Sequence, residues 1–381
     1  MSSAGAPGFG TFFLPGPTEV RPEVLAAMTR PMIPHRGAEF EALYARCDAG
    51  LRRVFRTARP VFISSSSATG LMEAAVRCAP AGRVLSVVNG AFSDRFAEIA
   101  RACGRDVDVL EVPFGRGADP GDLARRLAAG PRYAAVTVAH SETSSGALTD
   151  VVAVGEAARA AGARCLVDSV TALGAAPLET DASGLDFVLT GSQKALALPP
   201  GLAFAAASAD YMADARHAAG RGRYFDVVEF EAFAHKRQTP NTPALPLLYA
   251  LEAQLARTVG VDGDPEAASE PAPARWARHA ALAAQTHAWV DEHAGRFGVG
   301  VLAPAGERSP TVTAVTLPAG VEPARVVAAV RTRGYVVGGG YGAGKGTTFR
   351  VGHMGDHTAD GLAGCLAACE AALAEVGAGR G

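Results

Sequence analysis

An α/β protein, with a mainly parallel sheet between helices and a smaller C-terminal α+β domain, is predicted by three features of the sequence. Short β-branched runs alternate with Ala- and Arg-rich helical stretches, polar residues stand directly after those runs, and a late change of composition opens a second group of elements. RVLSVVNG precedes FSDRFAEIARACG, YAAVTVAHSE precedes VVAVGEAARAAGA, and RCLVDSV leads to DFVLTGSQ. Continuous apolar runs suit strands buried on both faces, and the helical stretches between them supply the crossovers that parallel pairing requires.

Taken in order, the first twenty residues are rich in Gly and Pro, and FFLPGPTEVRPEV suits an extended arm better than a helix. The alternating region follows from about residue 24. Near residue 262 the text becomes DGDPEAASEPAPA, poor in large apolar side chains, which reads as a surface linker. Beyond it RWARHAALAAQTHAWVDEH reads as a helix, TVTAVTL and YVVGGG as strands, and ADGLAGCLAACEAALAEVG as a closing helix. The expected organisation is an N-terminal arm over 1–20, a large domain over 21–260 and a small domain over 261–381, without internal repeats.

Hydrophobic residues make up 49% of the chain and charged ones 19%, the balance of a globular protein with a large core and not of a disordered one. A formal charge of −2 gives no electrostatic commitment to nucleic acid or to an anionic membrane, so a small ligand is expected. The six cysteines are scattered and lack the spacing of a disulfide framework or a zinc site; Cys365 and Cys369, one helical turn apart, read as core. The N-terminal MSSAGAPGFG lacks a basic segment followed by an apolar run, and the expected location is the cytoplasm.

In open parallel sheets ligands sit beyond the carboxyl ends of the strands. Five such ends carry polar groups: Ser64 to Thr69 after PVFI, Asn89 and Gly90 after RVLSVV, His140 to Ser145 after YAAVTVA, Asp168 closing RCLVD, and Lys194 after DFVLTGS. Lys194 lies between Gly191-Ser192-Gln193 and the apolar ALALPPGLAF, where a free ammonium is costly. A desolvated lysine forms an imine with an aldehyde, and pyridoxal phosphate (PLP) supplies one. That cofactor acts as an electron sink only while its pyridine nitrogen stays protonated, which calls for a nearby carboxylate. Asp168 is the candidate, and Val170, two residues on, is placed to pack on a ring face. SSSSATG before LMEAAVRCA is a helix start rich in capping residues, a ready anion site.

Asp168-Ser169-Val170, then Gly191-Ser192-Gln193-Lys194-Ala195, then Pro199-Pro200-Gly201 resemble the class V aminotransferases, in particular the alanine/serine:glyoxylate (pyruvate) group. The likeness runs from Pro15-Gly16-Pro17 to Phe349-Arg350-Val351-Gly352, nearly the whole chain. It implies the type I PLP-dependent transferase fold, a mainly parallel seven-stranded sheet between helices, and a homodimer with active sites at the subunit interface. It implies that Lys194 carries the cofactor, that Asp168 protonates its ring, and that Ser67, Ala68 and Thr69 cradle its phosphate with Gln193 beside them. Phe92 falls where an aromatic ring stacks on the pyridine; many members carry Trp there. Thr143 falls where a hydroxyl meets the phenolic oxygen, and Thr242 matches a threonine that reaches the partner subunit's phosphate. Arg350 matches the arginine that clamps the substrate α-carboxylate, a task suited to a planar guanidinium fork, with Gly16 also on the substrate side.

The resemblance implies transamination from a small L-amino acid such as alanine or serine to glyoxylate or pyruvate, in ping-pong fashion. An alternative is an aminotransferase for a phosphonate- or phosphate-bearing amine, which His35-Arg36-Gly37 resembles; Arg36 would then bind the second anion. A PLP-dependent lyase or desulfurase would need a cysteine on a mobile loop near Arg350, and none of the six stands there. Gly339 to Lys345, GGYGAGK, lacks the Ser or Thr of a phosphate-binding loop and reads as a flexible loop that lets the small domain close. His353 and His357 lack a third ligand, so no metal is expected. EFEAFAHKRQ reads as an exposed face.

Overall fold

A computed structural model describes residues 9–260 and 264–377. The first eight residues of the arm and residues 262–263 of the linker therefore lie outside the described residues. The strands in chain order are β1 (Phe12–Phe13), β2 (Phe62–Ser64), β3 (Arg83–Val88), β4 (Val107–Glu111), β5 (Tyr133–Ala139), β6 (Ser141–Glu142), β7 (Ala147–Leu148), β8 (Arg164–Asp168), β9 (Phe187–Gly191), β10 (Ala203–Ala207), β11 (Gly300–Val301), β12 (Val312–Thr316), β13 (Val336–Gly339) and β14 (Thr348–Gly352).

Seven of them form the large sheet in the order β2-β10-β9-β8-β5-β3-β4. The pairs β3–β4, β3–β5, β5–β8 and β8–β9 are parallel, and only β10 runs against its neighbours β9 and β2. Alternate residues of each central strand enter two separate cores. Cys165 and Val167 of β8 join the cluster that includes Leu51, Leu251 and Val154, whereas Leu166 joins Leu71, Phe96 and Tyr211 on the other face. Helices thus cover both faces, as the uninterrupted apolar runs require. Strand β10 is not visible in the sequence pattern, because Ala-rich AFAAA has low strand propensity and owes its conformation to full burial between β2 and β9.

The second sheet has the order β1-β13-β14-β12-β11. It packs with the helices Ala272–Phe297 and Ala359–Glu375 around Phe13, Leu282, Val290, Phe349, Cys365 and Cys369. Its edge comes from the N-terminal arm, since β1 pairs in parallel with β13 through Phe12↔Val336 and Phe13↔Val337. Where the two sheets' helices meet, the Asp356 carboxylate, 5% exposed, accepts from Arg275 Nη1 at 2.6 Å, Arg257 Nη1 at 2.9 Å and Arg21 Nε at 3.1 Å. Burial alone would raise its pKa; the charge and hydrogen bond of Arg275, then Arg257 and Arg21, overcome that and hold it well below the usual range. Arg275, itself buried, gives its other amino group to the Ala195 carbonyl at 2.6 Å, one residue beyond Lys194.

Candidate active site

Six of the seven strands of the large sheet run the same way, so Ser64, the Asn89-Gly90 turn, His140, Asp168 and the turn bearing Lys194 reach one edge, as the positions after the apolar runs predict. Lys194 sits in the return between β9 and β10. That turn is held by Ser192, whose hydroxyl donates to the Pro199 carbonyl at 2.7 Å and accepts from the Leu202 amide at 3.2 Å. The arm wraps it from the other side: the Thr18 amide donates to the Gln193 carbonyl at 3.0 Å, and Lys194 Nζ donates to the Pro15 carbonyl. Gly16 has φ +105°, and a Cβ there would stand 2.5 Å from Lys194 Nζ, so only glycine lets the arm pass the amine.

Lys194 is 8% exposed. Burial lowers its pKa to about 8, with the Asp168 and Glu142 carboxylates opposing and the Arg350 and Arg95 guanidiniums adding to the fall. A neutral amine is thereby accessible near physiological pH. Asp168, 6% exposed, is pushed up to about 7 by burial, which outweighs the Val170 amide that donates to Oδ1 at 2.9 Å; Glu142 raises it further. Oδ2 receives no hydrogen bond among the described residues, so a cationic nitrogen is the partner that the protein itself does not provide. Behind it His140 stands neutral, its Nδ1 2.9 Å from the Ser169 hydroxyl and its pKa lowered to about 4 by burial.

Phe92 lies at the start of the helix Ala91–Ala102, with Lys194 Nζ 5.7 Å from its ring centroid. Val170, half-buried, follows Asp168 as expected. The Thr143 hydroxyl is 2.6 Å from that of Thr171. At the helix Ala68–Cys78, Ser67 occupies the N-cap without using its side chain; Ser67 and Thr69 are exposed and Ala68 is buried. The Gly70 amide bonds the Ser67 carbonyl at 3.0 Å, and the Ala68 and Thr69 amides are left open to an anion. Gln193 Oε1 is buried without a partner, and since amide nitrogen and oxygen are told apart only by their hydrogen bonds, the side chain turned over would aim a donor there. Arg350, on β14, donates from Nε to the Gly339 carbonyl at 2.8 Å and from Nη1 to the Thr143 carbonyl at 3.1 Å. Nη2 and the second Nη1 hydrogen remain for an end-on carboxylate.

Two expected residues stand apart. The Arg36 guanidinium donates to Gln238 Oε1 and to the Thr239 and Pro240 carbonyls at 3.2, 2.7 and 3.3 Å, and lies over the Phe233 ring. Thr242 is exposed and borders, with Ser64, Ser65 and Tyr224, a small cavity away from Lys194. EFEAFAHKRQ is not wholly an exposed face, because the helix Val227–Ala234 buries Phe230 and Ala234. The Gly339–Lys345 segment folds into one 3₁₀ turn, Gly342–Gly344. His353 Nε2 lies 3.0 Å from the Thr313 hydroxyl and His357 stacks on Phe13, two core histidines.

Sequence reasoning missed three groups. Glu142, fully buried, accepts at Oε2 from the Phe92 and Ser93 amides at 3.1 and 3.0 Å and from the Ser93 hydroxyl at 3.0 Å. Its Oε1 accepts from the Ser144 amide at 3.0 Å and the Ser144 hydroxyl at 2.6 Å. Gly90 lies so close that a Cβ would stand 2.5 Å from Glu142 Cγ. Arg95 lies over the Phe92 ring at 5.0 Å, and Tyr341 stacks on it at 5.6 Å. The signal for Glu142 was its place as the one acid in a hydroxyl-rich run at a strand end; nothing in the sequence brings Tyr341 to Phe92.

A buried carboxyl and a buried lysine beneath an aromatic ring, at one edge of this sheet, suit a pyridoxal-phosphate-dependent enzyme. The chain belongs to the class-V aminotransferase family, whose model matches residues 15–342. It is 32% identical to the serine–glyoxylate aminotransferase of Methylorubrum extorquens, over 99% of this chain and 94% of that protein. It is likewise 32% identical to the L-aspartate–glyoxylate aminotransferase of Paracoccus denitrificans, over 96% of this chain and 91% of that one. The fold superposes on the crystal structure of pyridoxamine–pyruvate aminotransferase from Mesorhizobium loti with a TM-score of 0.90 at 27% identity, covering 99% and 94% of the two chains. The residues fit the family's cofactor: the orphaned Gln193 amide and open helix start suit its phosphate, and the unbonded oxygen of Asp168 suits its ring nitrogen.

Proposed function

We propose that this enzyme moves an amino group from a small L-amino acid, alanine or serine, to glyoxylate or pyruvate by a ping-pong mechanism, as a cytoplasmic homodimer. The observation that carries the reading is Arg350, a half-buried guanidinium free of any salt bridge among the described residues and electrostatically in touch with Lys194. It fits a substrate that presents one carboxylate beside one amine. When bound, the cofactor supplies the electron sink that makes the substrate Cα–H acidic. Lys194, about half neutral near pH 8, would take the Cα proton and deliver it to the cofactor's C4′ carbon. Asp168 Oδ2 would hold the proton on the ring nitrogen, Phe92 and Val170 would pack on the ring, Thr143 would meet its phenolic oxygen, and Ser67, Ala68, Thr69 and Gln193 would hold the phosphate. Gly16 gives the substrate room beside the amine. Thr242, exposed beside the likewise exposed Tyr224, would serve the neighbouring subunit's phosphate. The cytoplasmic assignment is supported by six free cysteines, and no described helix is long and apolar enough to cross a membrane.

A donor with a second, phosphate-like anion lacks support, because Arg36 is committed to backbone and amide oxygens. A half-reaction screen tests the assignment by following loss of the visible absorbance of the lysine-bound cofactor. Alanine and serine should react, and 2-aminoethylphosphonate and phosphoserine should not. Arg350→Ala should raise KM for donor and acceptor alike by about one to two powers of ten, and Arg36→Ala should leave alanine turnover near wild type. Selective loss of phosphonate turnover in Arg36→Ala would reverse the substrate assignment.

A further inference from the structure

The roof of the site holds a group that the chemistry above does not use. Tyr341, 41% exposed, is carried on the Gly339–Lys345 loop, yet its ring lies over the large-domain Phe92 with centroids 5.6 Å apart and planes 23° from parallel. Two guanidiniums flank it. Arg350 Cζ is 5.5 Å from the Tyr341 centroid, and Arg95 Nη2 donates to the phenol oxygen at 3.3 Å while its own plane lies over Phe92. Neither arginine forms a salt bridge among the described residues, so the phenol is Arg95's one hydrogen-bond partner and a cation–π partner of Arg350.

These distances set what a substrate meets. Lys194 Nζ lies 5.7 Å from the Phe92 centroid and Arg350 lies one ring spacing from Tyr341, so the Phe92–Tyr341 stack spans the gap between the amine end and the carboxylate clamp. A substrate gripped at both ends has its Cα opposite that stack. Phe92 itself is turned to the cofactor, so a side chain that grows from Cα beyond it meets the ring of Tyr341.

We propose that Tyr341 is a specificity-determining residue whose ring, held by Arg95, limits both substrates to short side chains. This rests on the small-substrate reading above and names the part of the site that enforces it. Tyr341 is exposed on a loop, so its replacement removes the roof without opening a core.

The experiment measures kcat/KM of the donor half-reaction for alanine, serine, aspartate, methionine and phenylalanine in wild type, Tyr341→Ala, Tyr341→Phe and Arg95→Gln holoenzymes. Tyr341→Ala should raise the ratio of methionine or phenylalanine to alanine by about tenfold or more, the usual size of a few side-chain contacts. Tyr341→Phe should keep the wild-type ratio, since the ring remains, and Arg95→Gln should fall between. A ratio unchanged in Tyr341→Ala while alanine turnover persists overturns the proposal alone. So does an equal loss on every donor, which marks a merely structural residue. A wild-type enzyme that prefers long donors overturns this inference and the small-substrate reading together.

Discussion

At the scale of single residues, the site works by withholding water from two groups of opposite kind. Burial pulls the Lys194 ammonium down to about 8 and lifts the Asp168 carboxyl to about 7, so each lies within reach of the protonation state its task requires. Replacing Asp168 by Asn keeps the shape but removes the charge that favours a protonated ring nitrogen. Cofactor should stay bound, while kcat falls by about 100-fold or more, ~3 kcal/mol of lost electrostatic stabilisation; single-turnover absorbance measurements check both. These two residues were legible in the sequence because each closes or follows an apolar run. Of the three lysines only Lys194 proves buried; Lys236 and Lys345 are exposed. Arg350 was legible by resemblance alone, because its freedom depends on which carbonyls take its other hydrogens.

At the scale of elements, the helix Ala91–Ala102 is held at its positive end by a buried carboxylate instead of a capping side chain at its start. Glu142 thereby fixes where Phe92 stands above Lys194. Glu142→Gln would turn an amide NH2 toward the Phe92, Ser93 and Ser144 donors and leave buried groups unpaired, at about 1–3 kcal/mol each. The variant should lose ~2 kcal/mol or more in denaturant unfolding; unchanged stability would show that the helix start does not depend on the charge. A periodic pattern announces that a strand exists, and so the parallel strands were readable, but it does not say which distant amide a carboxylate will meet. The same limit hid β10, whose alanines carry no strand preference of their own.

At the scale of the whole molecule, buried neutral histidines make the fold acid-sensitive. His140, His353 and His357 are buried, and burial lowers their pKa values to about 4, 3 and 4. An unfolded chain takes up these protons from about pH 6.5 downward while the folded chain refuses them, so stability falls as pH drops from 6.5 toward 4, by about 1.4 kcal/mol per pH unit for each proton. Asp168, whose pKa is raised, opposes this with one proton over the window between its unfolded value and about 7. Thermal melting between pH 7.5 and 4.5 should show the decline, and His353→Asn, which cannot titrate, should flatten it.

The pairing of β1 with β13 joins residues from opposite ends of the chain, and the same arm delivers the Pro15 carbonyl and Gly16 to Lys194. On the ribosome the arm emerges before its partner strand, which appears only after more than three hundred further residues have been made. Until then, Phe12 and Phe13 have no edge to join, and the segment that closes around the amine lacks its outer anchor, with Thr18 on Gln193 holding its inner end. The part of the chain that builds the large sheet can meanwhile collapse around its two clusters. Its lysine is nonetheless incompletely housed, so the reactive centre matures only once β13 has been made.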